Sequence, residues 1–254
     1  MRKEFAAVIS QEKIAEGIYS LWLKVSFAGE VIPGQFVSLY SNDASRLLPR
    51  PISICESVKE EGAIRLVYRI AGAGTLEFSK LAAGDEAAVL GPLGNGFPVE
   101  DYSNKKVLLV GGGIGIPPLL SCAKMLEKKE FAVGYRSETY LLDDLMREAE
   151  VHVATEDGSL GTPGNVLDSI KADNVKADVI FACGPKPMLR ALKAYAEETG
   201  IPCYVSMEER MACGVGACLA CVCRTTGIDG HSHVNNARIC KDGPVFRAEE
   251  VDLS

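Results

Sequence analysis

The stretch KVLLVGGGIGIPPLLSCAK, residues 106–124, runs from an apolar strand signal at 106–110 through a glycine-rich turn into a segment with helical spacing. Strand, turn and helix in that order open a parallel α/β sheet. Glycines at a strand end permit a tight turn and let a pyrophosphate approach the free N–H groups of a helix start. The loop departs from the dinucleotide fingerprint, because the third glycine position is Ile116 and two prolines follow. Taken alone it is also compatible with plain helix–strand packing. A second glycine signal, Cys183-Gly184-Pro185, closes a later predicted strand and again opens a helix. Two glycine-marked strand ends on one sheet can face a single crevice.

Outward from this unit the pattern divides the chain. Towards the C-terminus, predicted strands at 131–135, 151–155 and 179–182 alternate with predicted helices at 117–128, 140–147, 165–171 and 187–198. Such alternation predicts a doubly wound parallel-sheet α/β domain. Towards the N-terminus, short runs rich in Val, Ile and Tyr at 4–9, 18–25, 35–40, 52–56, 64–70 and 86–90 predict a small antiparallel β barrel, with a helical stretch at 75–81. The composition turns polar at 101–105. From about Met207 the chain is rich in glycine and cysteine and too short for a core of its own. The expected domains are a β barrel at 1–102, a nucleotide domain at 103–206 and a metal-organised segment at 207–254.

A chain of 254 residues, 47% of them hydrophobic, can bury such a core. The net charge of -7, with no basic block, argues against a nucleic-acid footprint. MRKEFAAVIS at the N-terminus lacks the apolar core of a signal peptide, and the most apolar stretch, 107–123, is broken by glycines and two prolines. No export signal or membrane span is expected, which places the chain in the cytoplasm.

The cysteines are the next feature to explain. Four are scattered at 55, 122, 183 and 203, and five cluster at 213, 218, 221, 223 and 240. Clustering of this kind points to a metal rather than to a disulfide framework. In MACGVGACLACVC, Cys213, Cys218 and Cys221 follow the plant-type ferredoxin spacing, and Cys240 is the expected remote ligand of a 2Fe-2S cluster. Small residues between the ligands, Gly214, Gly216 and Ala217, let backbone N–H groups reach the sulfurs. A structural zinc site also uses four thiolates, but usually as two C-x2-C-like pairs, and only Cys218 with Cys221 fits that form. Cys223 is a competing fourth ligand. His231 and His233 lack the C-x-H pairing of a Rieske centre and follow a turn signal at 227–230, so they read as exposed hairpin residues.

Several further motifs carry a resemblance: RPIS at 50–53, GAGT at 72–75, GPLGNGF at 91–97, GGGIGIPPL at 111–119 and CGPKPM at 183–188. Together they resemble the ferredoxin-NADP reductase superfamily, in which a flavin-binding barrel precedes a pyridine-nucleotide domain. With ERMACGVGACLACVC and RICKDGPVF added, the whole chain is similar to the electron-transfer subunits of bacterial NAD-dependent dihydroorotate dehydrogenases. The resemblance implies that Arg50, Pro51, Ile52 and Ser53 hold FAD, that Val67, Tyr68 and Arg69 line the next strand against it, and that Gly74 and Thr75 bind its phosphates. It implies an NAD crevice shaped by Gly111, Gly113, Gly115 and Pro117, with Cys183 and Gly184 near the nicotinamide. The eighteen residues between Cys221 and Cys240 exceed the family's expected interval. Arg136 and Glu138 stand where a ribose or 2'-phosphate would be read.

Electron counting then orders the cofactors, with FAD between a two-electron nicotinamide and a one-electron cluster. No acid–base side chain is required, and none is assigned. Once barrel, nucleotide domain and cluster are placed, no segment remains for a donor pocket or an FMN phosphate site. The expected partner is an FMN-containing dihydroorotate dehydrogenase catalytic subunit, two of each chain, feeding electrons through the cluster for pyrimidine biosynthesis. A ferredoxin- or sulfide-linked NAD(P) oxidoreductase subunit is the alternative built from the same modules. A zinc-stabilised nucleotide-binding regulator is the alternative of another class.

Overall fold

The computed structural model describes residues 1–228 and 233–254. Six strands, β1 (Arg2–Ala15), β2 (Ile18–Lys24), β3 (Phe36–Leu39), β4 (Arg50–Val58), β5 (Ala63–Arg69) and β6 (Glu86–Leu93), close an antiparallel barrel in the order β1-β2-β5-β4-β3-β6. The two-residue period decides which side chains fill it. Leu21 and Leu23, Val37 and Leu39, and Ile64 and Leu66 point into the barrel core. Their neighbours Phe36 and Val67 turn outward and join the cores of the rest of the molecule. The expected helix between the last two strands is α1 (Ala73–Phe78).

The second unit is β7 (Lys106–Gly112), α2 (Pro117–Ala123), β8 (Lys128–Tyr135), α3 (Leu142–Glu148), β9 (Glu150–Thr155), β10 (Thr162–Pro163), α4 (Val166–Ala172), β11 (Val179–Cys183), α5 (Lys186–Thr199) and β12 (Cys203–Ser206). Local chemistry sets several of the ends. Asn165 caps α4 by accepting from Leu167 N at 2.9 Å, and Asp168 returns a bond to Asn165 N at 2.8 Å, a capping box. α5 stops at Gly200, whose left-handed φ of 70° suits a residue without Cβ. The helix expected over 117–128 ends at Ala123, because residues from Lys128 onward are drawn into register with Lys106 on β7. Sheet pairing overrides the helical spacing there.

The C-terminal segment is bound into this unit. β13 (Val222–Arg224) and β14 (Asn236–Arg238) form an antiparallel hairpin, and β15 (Val245–Arg247) adds antiparallel to β12 at the end of the sheet. The sheet order is β10-β9-β8-β7-β11-β12-β15. Cys221, Cys223, Ile239, Cys240 and Phe246 share one core with Leu189, Leu192 and Val205. A segment expected to depend wholly on a metal for its order therefore also packs against the sheet domain. Residues 229–232, which include Asp229, Gly230 and His231 of the expected turn, lie outside the described residues; His233 is exposed.

Barrel and sheet domain meet across α2, which is buried along its whole length with Leu119, Leu120 and Cys122 in the same core as Cys55 of β4. An ion network ties the interface. Arg65 on β5 bonds Glu56 on β4 at 2.8 Å and Asp144 on α3 at 2.9 Å, and Lys124 at the end of α2 also reaches Glu56. Among the described residues no helix is long and apolar enough to cross a membrane.

Candidate functional site

The outer face of β4 and β5 forms one wall of a cleft of 670 Å³. All nine residues assigned to a flavin from the sequence border it: Arg50, Pro51, Ile52, Ser53, Val67, Tyr68, Arg69, Gly74 and Thr75. Arg50 crosses the start of α1 so closely that a Cβ on Gly74 would lie 2.6 Å from its Nε, so a larger residue there would displace the guanidinium. Thr75 fixes the turn before the helix, its Oγ1 accepting from Ala71 N at 2.8 Å and Gly72 N at 3.2 Å. A guanidinium held at a glycine start suits a diphosphate. Tyr68 borders the cleft, but its ring belongs to the barrel core, stacked on Tyr19 with its hydroxyl donating to Gln11 at 2.8 Å.

The far wall was not foreseen from the sequence. Phe36, Ile114, Pro244 and the run Ser206–Met211 complete the cleft. Glu208 stands in this wall, exposed on the open cleft; partial loss of water between the walls pushes its carboxyl above the ordinary range, and Arg69 opposes the shift. The acidic pair Glu208-Glu209, just after Met207, was the available signal.

The glycine-marked strand ends do meet. Register places Gly111 beside Cys183 and Cys183 beside Ser206, one row across β7, β11 and β12. A Cβ on Gly115 would stand 2.3 Å from the Cys183 carbonyl oxygen and 2.6 Å from Gly184 N. Gly113 has φ +51°, and Arg69 Nη2 comes within 3.7 Å of its Cβ position, so crevice and cleft open onto one another. Pro117 begins α2, where a missing N–H is harmless. Burial pushes the Cys183 thiol up, keeping it neutral. Glu138 is engaged by the barrel, accepting from Glu16 N at 2.9 Å.

At the end of the wall lies the cysteine loop. Gly214 and Gly216 adopt left-handed φ of 70° and 86°, which curls the loop inward. Val215 N and Ala217 N donate to Cys213 Sγ at 3.4 and 3.3 Å, Gly216 N to Cys240 Sγ at 3.1 Å, and Cys240 N to Cys221 Sγ at 3.4 Å. Burial is the largest influence on Cys213 and pushes its thiol up, yet the donors from Val215, Cys218 and Ala217 together bring it down to about 6. Burial and then the Cys221 thiol push Cys240 up to about 12. Arg238 bonds Gly216 O at 3.2 Å and pairs with Asp242 at 2.9 Å, fastening the loop to the turn that carries Cys240.

Cys213 interacts with Cys218 and Cys221 with Cys240, and Cys213 also acts on Cys240. Four thiols brought together by this loop and the turn at 238–242 fit the two irons of a 2Fe-2S cluster. Cys223 sits on β13 in the shared core and also feels Cys221.

Barrel cleft, glycine crevice and paired thiols define an iron–sulfur flavoprotein reductase. Residues 208–252 match the family model "Iron-sulfur cluster binding domain of dihydroorotate dehydrogenase B". The chain is 45% identical over 260 residues to the "Dihydroorotate dehydrogenase B (NAD(+)), electron transfer subunit" of Geobacillus kaustophilus, covering 99% of each. It is 44% identical over 253 residues to the protein of that name from Listeria monocytogenes, covering 97% of each. The chain belongs to the family of electron transfer subunits of NAD-dependent dihydroorotate dehydrogenase B. A solved chain of an NADH-dependent reduced ferredoxin-NADP oxidoreductase is also similar, at 33% identity and a TM-score of 0.87, over 98% of this chain and 90% of that one. The chain is accordingly an oxidoreductase subunit with a 2Fe-2S cluster, FAD and exchangeable NAD as cofactors, working beside a catalytic subunit.

Proposed function

We propose that this chain takes electrons from an FMN-containing, dihydroorotate-oxidising subunit and delivers them through its cluster and FAD to NAD+, in a cytoplasmic complex holding two copies of each chain. The functional units are 1–102 for FAD, 103–206 for NAD and 207–254 for the cluster, with β15 anchoring the last to the second. One observation supports this reading above others. A single cleft is walled by the flavin strands, by Ile114 of the glycine loop and by the run 206–211 that leads into Cys213.

When bound, the nicotinamide exchanges two electrons as hydride, the cluster carries one at a time, and the flavin does both. The chain's own residues place and insulate these groups. Arg50, with Gly74 and Thr75, holds the diphosphate; Pro51, Ile52, Ser53 and the β5 residues Val67, Tyr68 and Arg69 flank the ring system. Gly111, Gly113, Gly115 and Pro117 shape the nucleotide crevice, and the neutral Cys183 and Gly184 form its floor near the nicotinamide. Cys213, Cys218, Cys221 and Cys240 hold the irons, and the donor subunit docks beside the 211–223 loop. Gentle purification followed by native mass spectrometry and flavin analysis tests the assembly. The expected species contains two of each chain with equal FMN and FAD; a lone chain carrying FAD without FMN contradicts it.

The likeness to the ferredoxin-linked oxidoreductase favours a second reading, in which reduced ferredoxin is the electron donor. NAD reduction driven by ferredoxin and not by dihydroorotate would select it.

A further inference from the structure

Phe36 and Ser38 lie two apart on β3, so both turn away from the barrel core that Val37 and Leu39 fill. Phe36 borders the flavin cleft. Ser38 is 1% exposed, and its Oγ has no hydrogen-bond partner among the described residues. The cysteine loop lies against it: a Cβ on Gly214, the residue after Cys213, would stand 2.9 Å from that oxygen. Across the ladder, Ser38 pairs with Pro51 and Phe36 with Ser53, both residues of the cleft. The hydroxyl is therefore sealed between the flavin cleft and the cluster loop with its proton uncommitted.

A buried hydroxyl without a partner is destabilising, and one that a protein retains calls for a group that uses it. The neighbouring sulfurs of Cys213 and Cys240 draw on backbone N–H donors of their own loop, and Ser38 brings a hydroxyl to that loop from the barrel side. We infer that Ser38 donates a hydrogen bond from the barrel to the iron–sulfur centre on its Cys213 side and so raises the reduction potential of the centre. This rests on the assignment of the four cysteines to a 2Fe-2S cluster. One electron enters, supplied by the donor subunit; no bond to Ser38 forms or breaks, and the proton stays on Oγ. The added negative charge strengthens the hydrogen bond, so the reduced form gains more than the oxidised one. A role as mere spacer would be met equally by alanine, which separates the two explanations.

The test is an EPR-monitored redox titration of the full chain carrying FAD and cluster. Ser38→Ala is expected to lower the reduced-to-oxidised ratio at a fixed poise about tenfold, equivalent to 59 mV for a one-electron couple. Ser38→Thr, which keeps the donor, holds the wild-type potential. Pulsed EPR in D2O should show a deuteron coupled to the reduced cluster that Ala removes and Thr retains. An unchanged potential and unchanged deuteron signal in Ser38→Ala, with the cluster fully loaded, overturns the inference. A wild-type chain that takes up zinc, keeps its flavin absorption and shows neither iron nor a reduced-cluster EPR signal overturns the cluster assignment itself, so the two failures are distinguishable.

Discussion

Gly115 and Cys183 touch through their backbones, the Cys183 carbonyl oxygen lying 2.3 Å from where a Cβ on Gly115 would stand. No L-residue with a side chain fits without parting β7 from β11 at the strand ends that form the nucleotide crevice. Gly115→Ala is therefore expected to weaken NADH binding by at least about tenfold, in line with the ~1–3 kcal/mol cost of overpacking, while flavin content stays at the wild-type level. Fluorescence titration with NADH checks this; unchanged affinity would separate the crevice from the nucleotide.

Arg50 presses its guanidinium on the glycine start of α1. Replacing it with alanine should raise the dissociation constant for FAD about 10–100-fold, as expected for a charge-assisted contact worth roughly 1.5–3 kcal/mol. Lysine should restore only part of the affinity, because a point charge cannot reproduce the planar fork. Flavin released on ultrafiltration reports the outcome.

Cys223 and Cys240 share one core with Cys221, and the proposed ligand is Cys240, whose thiol interacts with that of Cys221. Cys240→Ser should abolish or sharply reduce the reduced-cluster EPR signal and the iron content, and Cys223→Ser should leave both at two irons per chain, the stoichiometry of a 2Fe-2S centre. The reverse pattern would exchange the ligand assignment.

Glu208, exposed on the open cleft, has its folded-state carboxyl raised above the ordinary 4.5 by partial loss of water, an effect that its exposure keeps small. The folded chain therefore holds this proton when the unfolded chain has begun to release it, and stability is lost as pH rises through 4.5 towards the raised value. Glu208→Gln removes that slope, so the melting temperature of the flavin-free variant should exceed wild type at neutral pH and converge with it below pH 4.5. Parallel pH profiles would show that the carboxyl is solvated.

Barrel and sheet domain were legible because their signals are local: short runs rich in Val, Ile and Tyr recur through the first ninety residues, and apolar runs such as 106–110 recur between helices. The residues Arg50–Ser53 and Val67–Arg69, named from the family resemblance, border one cleft in the fold, and their contact with FAD is proposed. The opposite wall was not legible, since Phe36, Ile114 and Glu208 come from three distant segments that only the closed fold brings together. β15 escaped for a related reason. Three residues at 245–247 carry almost no periodic signal, and they form a strand because β12 offers an open edge. The short α2 shows pairing with β7 outweighing helical spacing.

The most direct test of the relay is reconstitution. The purified chain, loaded with FAD and cluster, is mixed with the FMN-containing subunit and given dihydroorotate and NAD+. The account predicts NADH formation well above that of either protein alone, lost in the Cys240→Ser chain although its FAD is still reduced by NADH. A mixture no faster than the separate proteins, or a Cys240→Ser chain as active as wild type, would contradict it.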